Sequence, residues 1–198
     1  MNSKIEKLIK QFAKLPRVGG RAGQRIVLGL LQDKTGKSAA LAAALIDAAE
    51  SIKPCATCGC LTENNPCEFC LDAGRENGQL CLVRDLGDVW TLEKSGVFRG
   101  RYHIVGGLLS AATGTTPADL NIENIPLRIA AENISEIIFA LPNTVEGKTT
   151  QHFIINNLQL SINNLQFTEL ASGVPLGGDL DYIDDGTLNI AFGNRKQI

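Results

Sequence analysis

Four cysteines carry the most legible chemistry in this chain. Cys55 and Cys58 form one C-x-x-C pair, and Cys67 and Cys70 form a second after a polar, turn-rich spacer. Thiolates are soft ligands, and Zn²⁺ takes four of them at tetrahedral corners. A C-x-x-C turn sets two sulfurs on one side of a tight bend, and two such turns facing each other close a site. Two disulfides, or buried free thiols, are the competing readings. The N-terminus shows no signal-peptide apolar region, so the expectation is a reducing, cytoplasmic compartment and one structural Zn²⁺ per chain. Four sulfurs leave no open position for a substrate. The site is expected to fold a segment that has little core of its own. Cys60 could compete with Cys58 but lies outside the paired register, and Cys81 sits in an apolar run as a small core residue.

Two acids come next. Asp88 and Glu146 each lie just past a run of strand length. Two such carboxylates could share a Mg²⁺ for phosphoryl chemistry, or be solvated loop acids. Glu146-Gly147-Lys148-Thr149-Thr150 has the outline of a phosphate-loop tail. The full motif needs Gly five residues before Gly147, and Pro142 stands there with no N–H to offer. The match is read as coincidence. Asp179, Asp181, Asp184 and Asp185 crowd one short stretch, either a solvated loop or an acidic surface that docks a basic partner or returns to a neighbouring subunit. His103 and His152 have no nucleophile paired with them in sequence and are read as structural or solvent-facing.

Charge is divided unevenly. Residues 1–53 hold ten Lys and Arg against four Asp and Glu, although the whole chain has a net charge of −2. A basic head on an acidic body suggests a polyanionic partner, or else a solvated helix face. Within the head, Ser3 and Glu6 have capping-box spacing, and a first helix is predicted to run to Leu15, before Pro16. Gly19 and Gly20 are free to take positive φ in the turn that follows. A second helix is predicted over Arg21–Gln32 with Ala22, Ile26, Leu30 and Leu31 inward. A third is predicted over Ser38–Ile52 with Leu41, Leu45, Ala48 and Ile52 on one stripe. Helix, Gly-Gly turn, helix is the outline of a helix-hairpin-helix. Its free backbone N–H groups bind phosphate without reading sequence, and Arg21 and Arg25, one turn apart, can address the same backbone.

The remainder alternates strand and helix. Strands are predicted at Gln79–Val83, Tyr102–Val105, Glu136–Leu141 and Gln166–Leu170, with helices at Asp85–Ser95, Ile125–Glu132 and Val145–Leu158. Such alternation means an α/β domain, a largely parallel sheet with flanking helices. Ligand positions then fall at strand C-terminal ends, at Arg84, Asp85 and Asp88 and over Pro142–Thr149. No apolar run has the length of a membrane span.

In order and in motif the chain resembles the RecR family of bacterial recombination mediators. The resemblance runs through L-P-R-V-G-G-R-A-G-Q-R-I, the four cysteines, E-N-G-Q-L-C-L-V, F-R-G-R-Y-H, N-T-V-E-G and G-V-P-L-G-G-D-L-D-Y, covering nearly the whole length. It implies a helix-hairpin-helix region at 1–53, a four-cysteine zinc finger at 54–71, a Toprim domain at 78–172 and a Walker-B-like C-terminal segment at 173–198. It implies a DNA-binding, non-enzymatic protein that assembles as a ring-shaped tetramer. Such a protein works with RecO and RecF to bring RecA onto gaps coated with single-strand-binding protein. The DNA-binding positions fall on Arg21, Arg25, Gly19 and Gly20, the zinc ligands on Cys55, Cys58, Cys67 and Cys70, and the Toprim acids on Asp88 and Glu146. A third Toprim acid falls on Arg84, which repels a cation and argues against the alternative, a Mg²⁺-dependent enzyme that cleaves or joins DNA. Ala111 stands where the family has Pro, which implies a looser loop.

Overall fold

The computed structural model describes residues 3–159, 164–170, 179–193 and 195–197, and the chain divides into two compact units, Met1–Ile52 and Lys53–Ile198. The Gly177–Gly178 pair of the last motif lies outside the described residues.

The first unit is three helices, α1 (Ser3–Phe12), α2 (Gly20–Gln32) and α3 (Lys37–Ser51). The first helix stops short of Leu15. The chain tightens there: Leu15 N–H reaches Phe12 O at 3.1 Å, and Val18 N–H reaches Leu15 O at 3.1 Å. Positive φ falls on Arg17, at 62°, while Gly19 is extended at φ −83°. The glycines are therefore not what reverses the chain.

The inward face of α2 also differs from the periodicity reading. Gly23 and Val27 are its buried residues, whereas Ile26 and Leu31 are exposed. A Cβ on Gly23 would lie 3.2 Å from both Ile9 O and Ala13 N. The glycine thus lets α1 approach closely, and that approach turns the Gly23–Val27 edge inward. In α3 the predicted stripe is apolar but uncovered: the helix has no buried residue, and Leu45 is 61% exposed.

The second unit opens with a two-stranded ribbon, β1 (Lys53–Pro54) against β2 (Leu61–Thr62), and the short α4 (Glu68–Leu71). Then follow β3 (Gln79–Val83), α5 (Leu86–Ser95), β4 (Arg101–Ile104), α6 (Ile125–Ala131), β5 (Glu136–Ala140), α7 (Val145–Gln159), β6 (Gln166–Glu169), α8 (Asp185–Gly193) and β7 (Lys196–Gln197). The sheet order is β4-β3-β5-β6-β7, parallel except for the β6–β7 pair. The predicted strands differ from these by a residue at some ends.

Strand alternation divides the core. Leu80, Leu82, Ile137 and Phe139 face one side, against Ile125, Ile129, Ile154 and Leu158 of α6 and α7. Cys81, Val83, Ile138 and Ala140 face the other, against Val89 and Leu92 of α5 and Leu188 and Phe192 of α8. The four cysteines of the two pairs, and Cys60, belong to this second cluster. The finger therefore shares the core of the sheet, where the expectation was a segment with little core of its own.

Ion pairs fix the C-terminal segment at two ends of the sheet. Arg84 after β3 meets Asp179 at 2.8 Å, and Arg195 meets Glu136 at the start of β5 at 2.8 Å. Asp184 caps α8 through the Thr187 N–H at 2.9 Å. The loop after β4 is tied on both sides of Ala111: Ser110 and Thr115 exchange two backbone hydrogen bonds, and Leu109 N–H donates to Thr150 Oγ1 at 2.8 Å.

Candidate metal centre and nucleic-acid interface

Cys55, Cys58, Cys67 and Cys70 converge as the two C-x-x-C turns require. Their Sγ atoms lie within 4.8 Å of one another, and all four residues are buried. Zn–S bonds of about 2.3 Å at tetrahedral corners set sulfurs about 3.8 Å apart, so the cage has the right size. Backbone amides face the sulfurs: Cys60 N–H approaches Cys58 Sγ at 3.5 Å, and Cys67 N–H approaches Cys55 Sγ at 3.4 Å. Contacts from the neighbouring thiols, Cys58 foremost, push the Cys67 thiol far below its ordinary range. The first turn depends on Gly59 at φ 80°, where a Cβ would meet Asn121 Nδ2 at 2.6 Å. These residues fit one structural Zn²⁺, which would supply a cross-link and no open coordination position. Cys60 is buried beside the cage but outside it, and Cys81 lies in the sheet core, where burial pushes its thiol up.

The finger is bonded to the sheet by groups that spacing did not reveal. Cys58 O accepts from Ile104 N–H at 2.7 Å, so the knuckle covers part of the β4 edge. Phe69 of α4 packs edge-on against Tyr102 of β4, with centroids 5.7 Å apart. Arg75 is buried between them, its guanidinium 5.2 Å from the Phe69 ring centre and 5.6 Å from that of Tyr102. It donates to Gly100 O at 3.1 Å and to Glu93 at 2.6 Å. An Arg after two cysteine pairs carries no sequence signal for such a position.

At the C-terminal end of β3, Asp85 and Asp88 form a capping box on α5. Asp88 accepts from Arg84 N–H at 3.1 Å, is closed to solvent, and leaves Oδ1 without a partner. Burial, assisted by the Asp85 charge and opposed by Arg84, pushes the Asp88 carboxyl up to about 7. Arg84 spans Asp85 at 2.9 Å and Asp179 at 2.8 Å, so a guanidinium occupies the space between these acids. Glu146 is exposed on the first turn of α7, and its side chain bonds to no described residue. Among the described residues no second group of three His, Cys, Asp or Glu ligand atoms comes together.

The phosphate-loop outline has a packing explanation. A Cβ on Gly147 would collide with the Pro142 carbonyl, so glycine is required for α7 to start there. Lys148 is paired with Glu169, and Thr149 Oγ1 donates to Val145 O at 2.8 Å. His103 is buried, with Nε2 2.5 Å from Asn121 O and Nδ1 3.1 Å from Arg128 Nη1. Arg128 can only donate, so His103 is neutral with its proton on Nε2. Burial drives its pKa down to about 4. His152 is exposed.

The head presents a different surface. Gly19 caps α2 without a side-chain hydrogen bond, which leaves the amides of the first turn open at the positive end of a 13-residue helix. Arg21 and Arg25 are exposed one turn apart, line one open concavity with Gln24, Leu28, Gly29 and Gln32, and bond to no described residue. A Cβ on Gly19 or Gly20 would meet nothing within 4 Å.

Comparison with known proteins joins these parts. Residues 5–49 match the family described as RecR, helix-hairpin-helix, and residues 52–72 match the RecR zinc finger domain with four cysteines. Residues 78–171 match the Toprim domain, and residues 173–196 match RecR, C-terminal. The chain is 45% identical over 194 residues to a protein of Maricaulis maris named Recombination protein RecR, covering 98% of this chain and 96% of the relative. It is 44% identical over 197 residues to the protein of that name from Ruegeria sp., covering 100% of this chain and 98% of the relative. The like-named Caulobacter vibrioides protein is 44% identical over 192 residues, covering 97% of this chain and 95% of the relative. No described helix is long and apolar enough to cross a membrane. With the four-cysteine cage and the parallel sheet in place, these matches over the whole length show that the chain belongs to the RecR family.

Proposed function

We propose that this chain is a DNA-binding mediator of recombinational repair. It binds DNA phosphates through the first-turn amides of α2 after Gly19-Gly20 and through Arg21 and Arg25. The observation that carries this reading is the open N-terminus of α2, where two guanidinium groups share one concavity and neither is paired with a described residue. The relatives named Recombination protein RecR support recombination as the process. In this reading residues 1–53 contact DNA, 54–71 hold zinc, 78–172 form a docking platform and 173–198 complete it. The protein acts as a tetrameric ring with RecO and RecF, and promotes RecA loading at single-stranded gaps.

The action is binding without turnover. Supporting this, Arg84 is held by Asp85 and Asp179 in the position where a cation-binding acid would be needed, and Lys148 is held by Glu169. Asp88 and Glu146 then serve the partner-binding platform or hold a cation weakly.

A salt titration of DNA binding tests the proposal. Each phosphate contact adds about 0.9 to the slope of log affinity against log salt on duplex DNA. The Arg21→Ala, Arg25→Ala double variant is expected to lose about two units of slope per DNA-contacting subunit, with zinc content unchanged. An unchanged slope and affinity would mean that the DNA contact lies elsewhere.

A further inference from the structure

Trp90 stands on the outer side of α5. Its neighbours Val89 and Leu92 are fully buried, but the indole is 64% exposed and makes no ring contact. It lines an open cleft of about 490 Å³ with Glu68, Phe69, Asp72, Arg75 and Glu93. A large exposed indole is costly in water and marks contact surfaces.

The charge of this cleft is one-sided. It holds three carboxylates and one guanidinium, and the guanidinium is already committed. Arg75 is buried, bonded to Glu93 at 2.6 Å and to Gly100 O at 3.1 Å, with Asp72 at 3.4 Å. The Glu68 carboxylate is exposed and makes no hydrogen bond or ion pair with a described residue. Trp90 and Glu68 are thus an aromatic face and an acid without a cation.

The floor of the cleft shows what this lining accepts. There Arg75 lies against the Phe69 and Tyr102 rings and is neutralised by Glu93. The upper wall offers the same chemistry, aromatic face plus carboxylate, to solvent. A cation over an indole gains from the ring quadrupole, and the flanking carboxylates orient it. Nucleic acid is disfavoured by the same acids.

We infer that this cleft is a docking site for a basic segment of a partner protein, an Arg or Lys side chain seated on Trp90 beside Glu68. The site lies in the Lys53–Ile198 unit and is independent of the DNA-binding proposal for α2.

The chain has a single tryptophan, so its emission reports this cleft directly. The probe is an acetylated, amidated peptide of alternating Arg and Ala, titrated into the full chain at low salt. The expected result is a saturable change in Trp90 emission, screened by salt, and absent with a Gln-for-Arg peptide. The Glu68 and Trp90 side chains make no hydrogen bond or ion pair with a described residue, and unchanged zinc content and thermal unfolding of each variant check that the fold is kept. Glu68→Lys is expected to weaken binding about tenfold by emission, and Trp90→Ala by a similar factor using labelled peptide. No saturable change, equal binding of the Gln peptide, or unaltered affinity in Glu68→Lys would overturn the proposal. So would an equal emission change with oligothymidylate, which would assign the cleft to nucleic acid. An emission change with protein concentration alone would assign it to a second copy of the chain.

Discussion

In the N-terminal unit Leu15, Leu31, Leu45 and Ile46 are each more than half exposed, whereas Leu80, Leu82, Ile137 and Ile138 of the second unit are closed to solvent. Arginines divide the same way. Arg75, Arg84, Arg101, Arg128 and Arg195 each hold a carboxylate of their own unit. Arg21 and Arg25 hold none. The second unit pairs these arginines and closes its sheet core to solvent. The first exposes apolar stripes together with Arg21 and Arg25, the surfaces that the proposed DNA contact and assembly would use.

The largest effect expected from this contrast follows loss of zinc. The four ligands sit in the same core as Val83, Leu92 and Tyr102, and metal binding to such a cage is worth on the order of 10 kcal/mol. Chelation, or Cys67→Ser, is therefore expected to loosen β3, β4 and α5 along with the finger. Hydrogen exchange read by mass should rise across residues 79–104 and stay unchanged across α1–α3. Retained protection in β3 and β4 after verified zinc loss would show that the finger is an appendage.

What the sequence made legible follows the same division. Gln79–Val83 and Glu136–Ala140 read correctly because strands buried on both faces are continuous apolar runs. The cage read correctly because ligand spacing is a local constraint. Periodicity found the apolar faces of α2 and α3 but could not say whether the chain covers them. In α2 the close approach at Gly23 decided the inward edge, and in α3 no residue of the first unit that is described buries Leu45. Arg75, Arg128 and Asp88 were unreadable as core residues because their partners, Glu93, His103 and Arg84 among them, are set by tertiary packing.

A medium effect is expected from pH. His103 is neutral in the fold, with its pKa lowered by burial from 6.5 to about 4. The unfolded chain therefore binds the proton first as pH falls. The stabilisation is complete above 6.5 and is lost progressively as pH drops toward about 4, a total of about 3 kcal/mol. Asp88, raised toward 7, has the opposite sign, since its protonated form is the one the fold favours. The difference between wild type and His103→Gln isolates the histidine. Denaturant midpoints of the two should converge as pH falls through that window, and parallel curves would show that His103 is not held neutral. No such slope is expected from Arg21→Ala or Arg25→Ala.

The smallest change in stability sharpens the contrast most, because it sets two glycines of one helix against each other. Gly23 is held by the fold: a methyl there comes within 3.2 Å of Ile9 O and Ala13 N, backbone atoms that cannot swing aside. Gly23→Ala should cost about 1–3 kcal/mol by forcing α1 off α2. Gly20 is the first residue of α2, and a methyl there meets nothing within 4 Å. Gly20→Ala should be neutral or stabilising by up to about 1 kcal/mol, through helix propensity and a less disordered unfolded chain. If the bare amide edge is there for phosphate, the same methyl obstructs the approach of DNA, and affinity should fall about tenfold. Thermal unfolding and DNA titration on the one variant then move in opposite directions. A Gly20→Ala protein that binds DNA as wild type does would show that the open amides of α2 are incidental, and that the exposed guanidinium groups of Arg21 and Arg25 act without them.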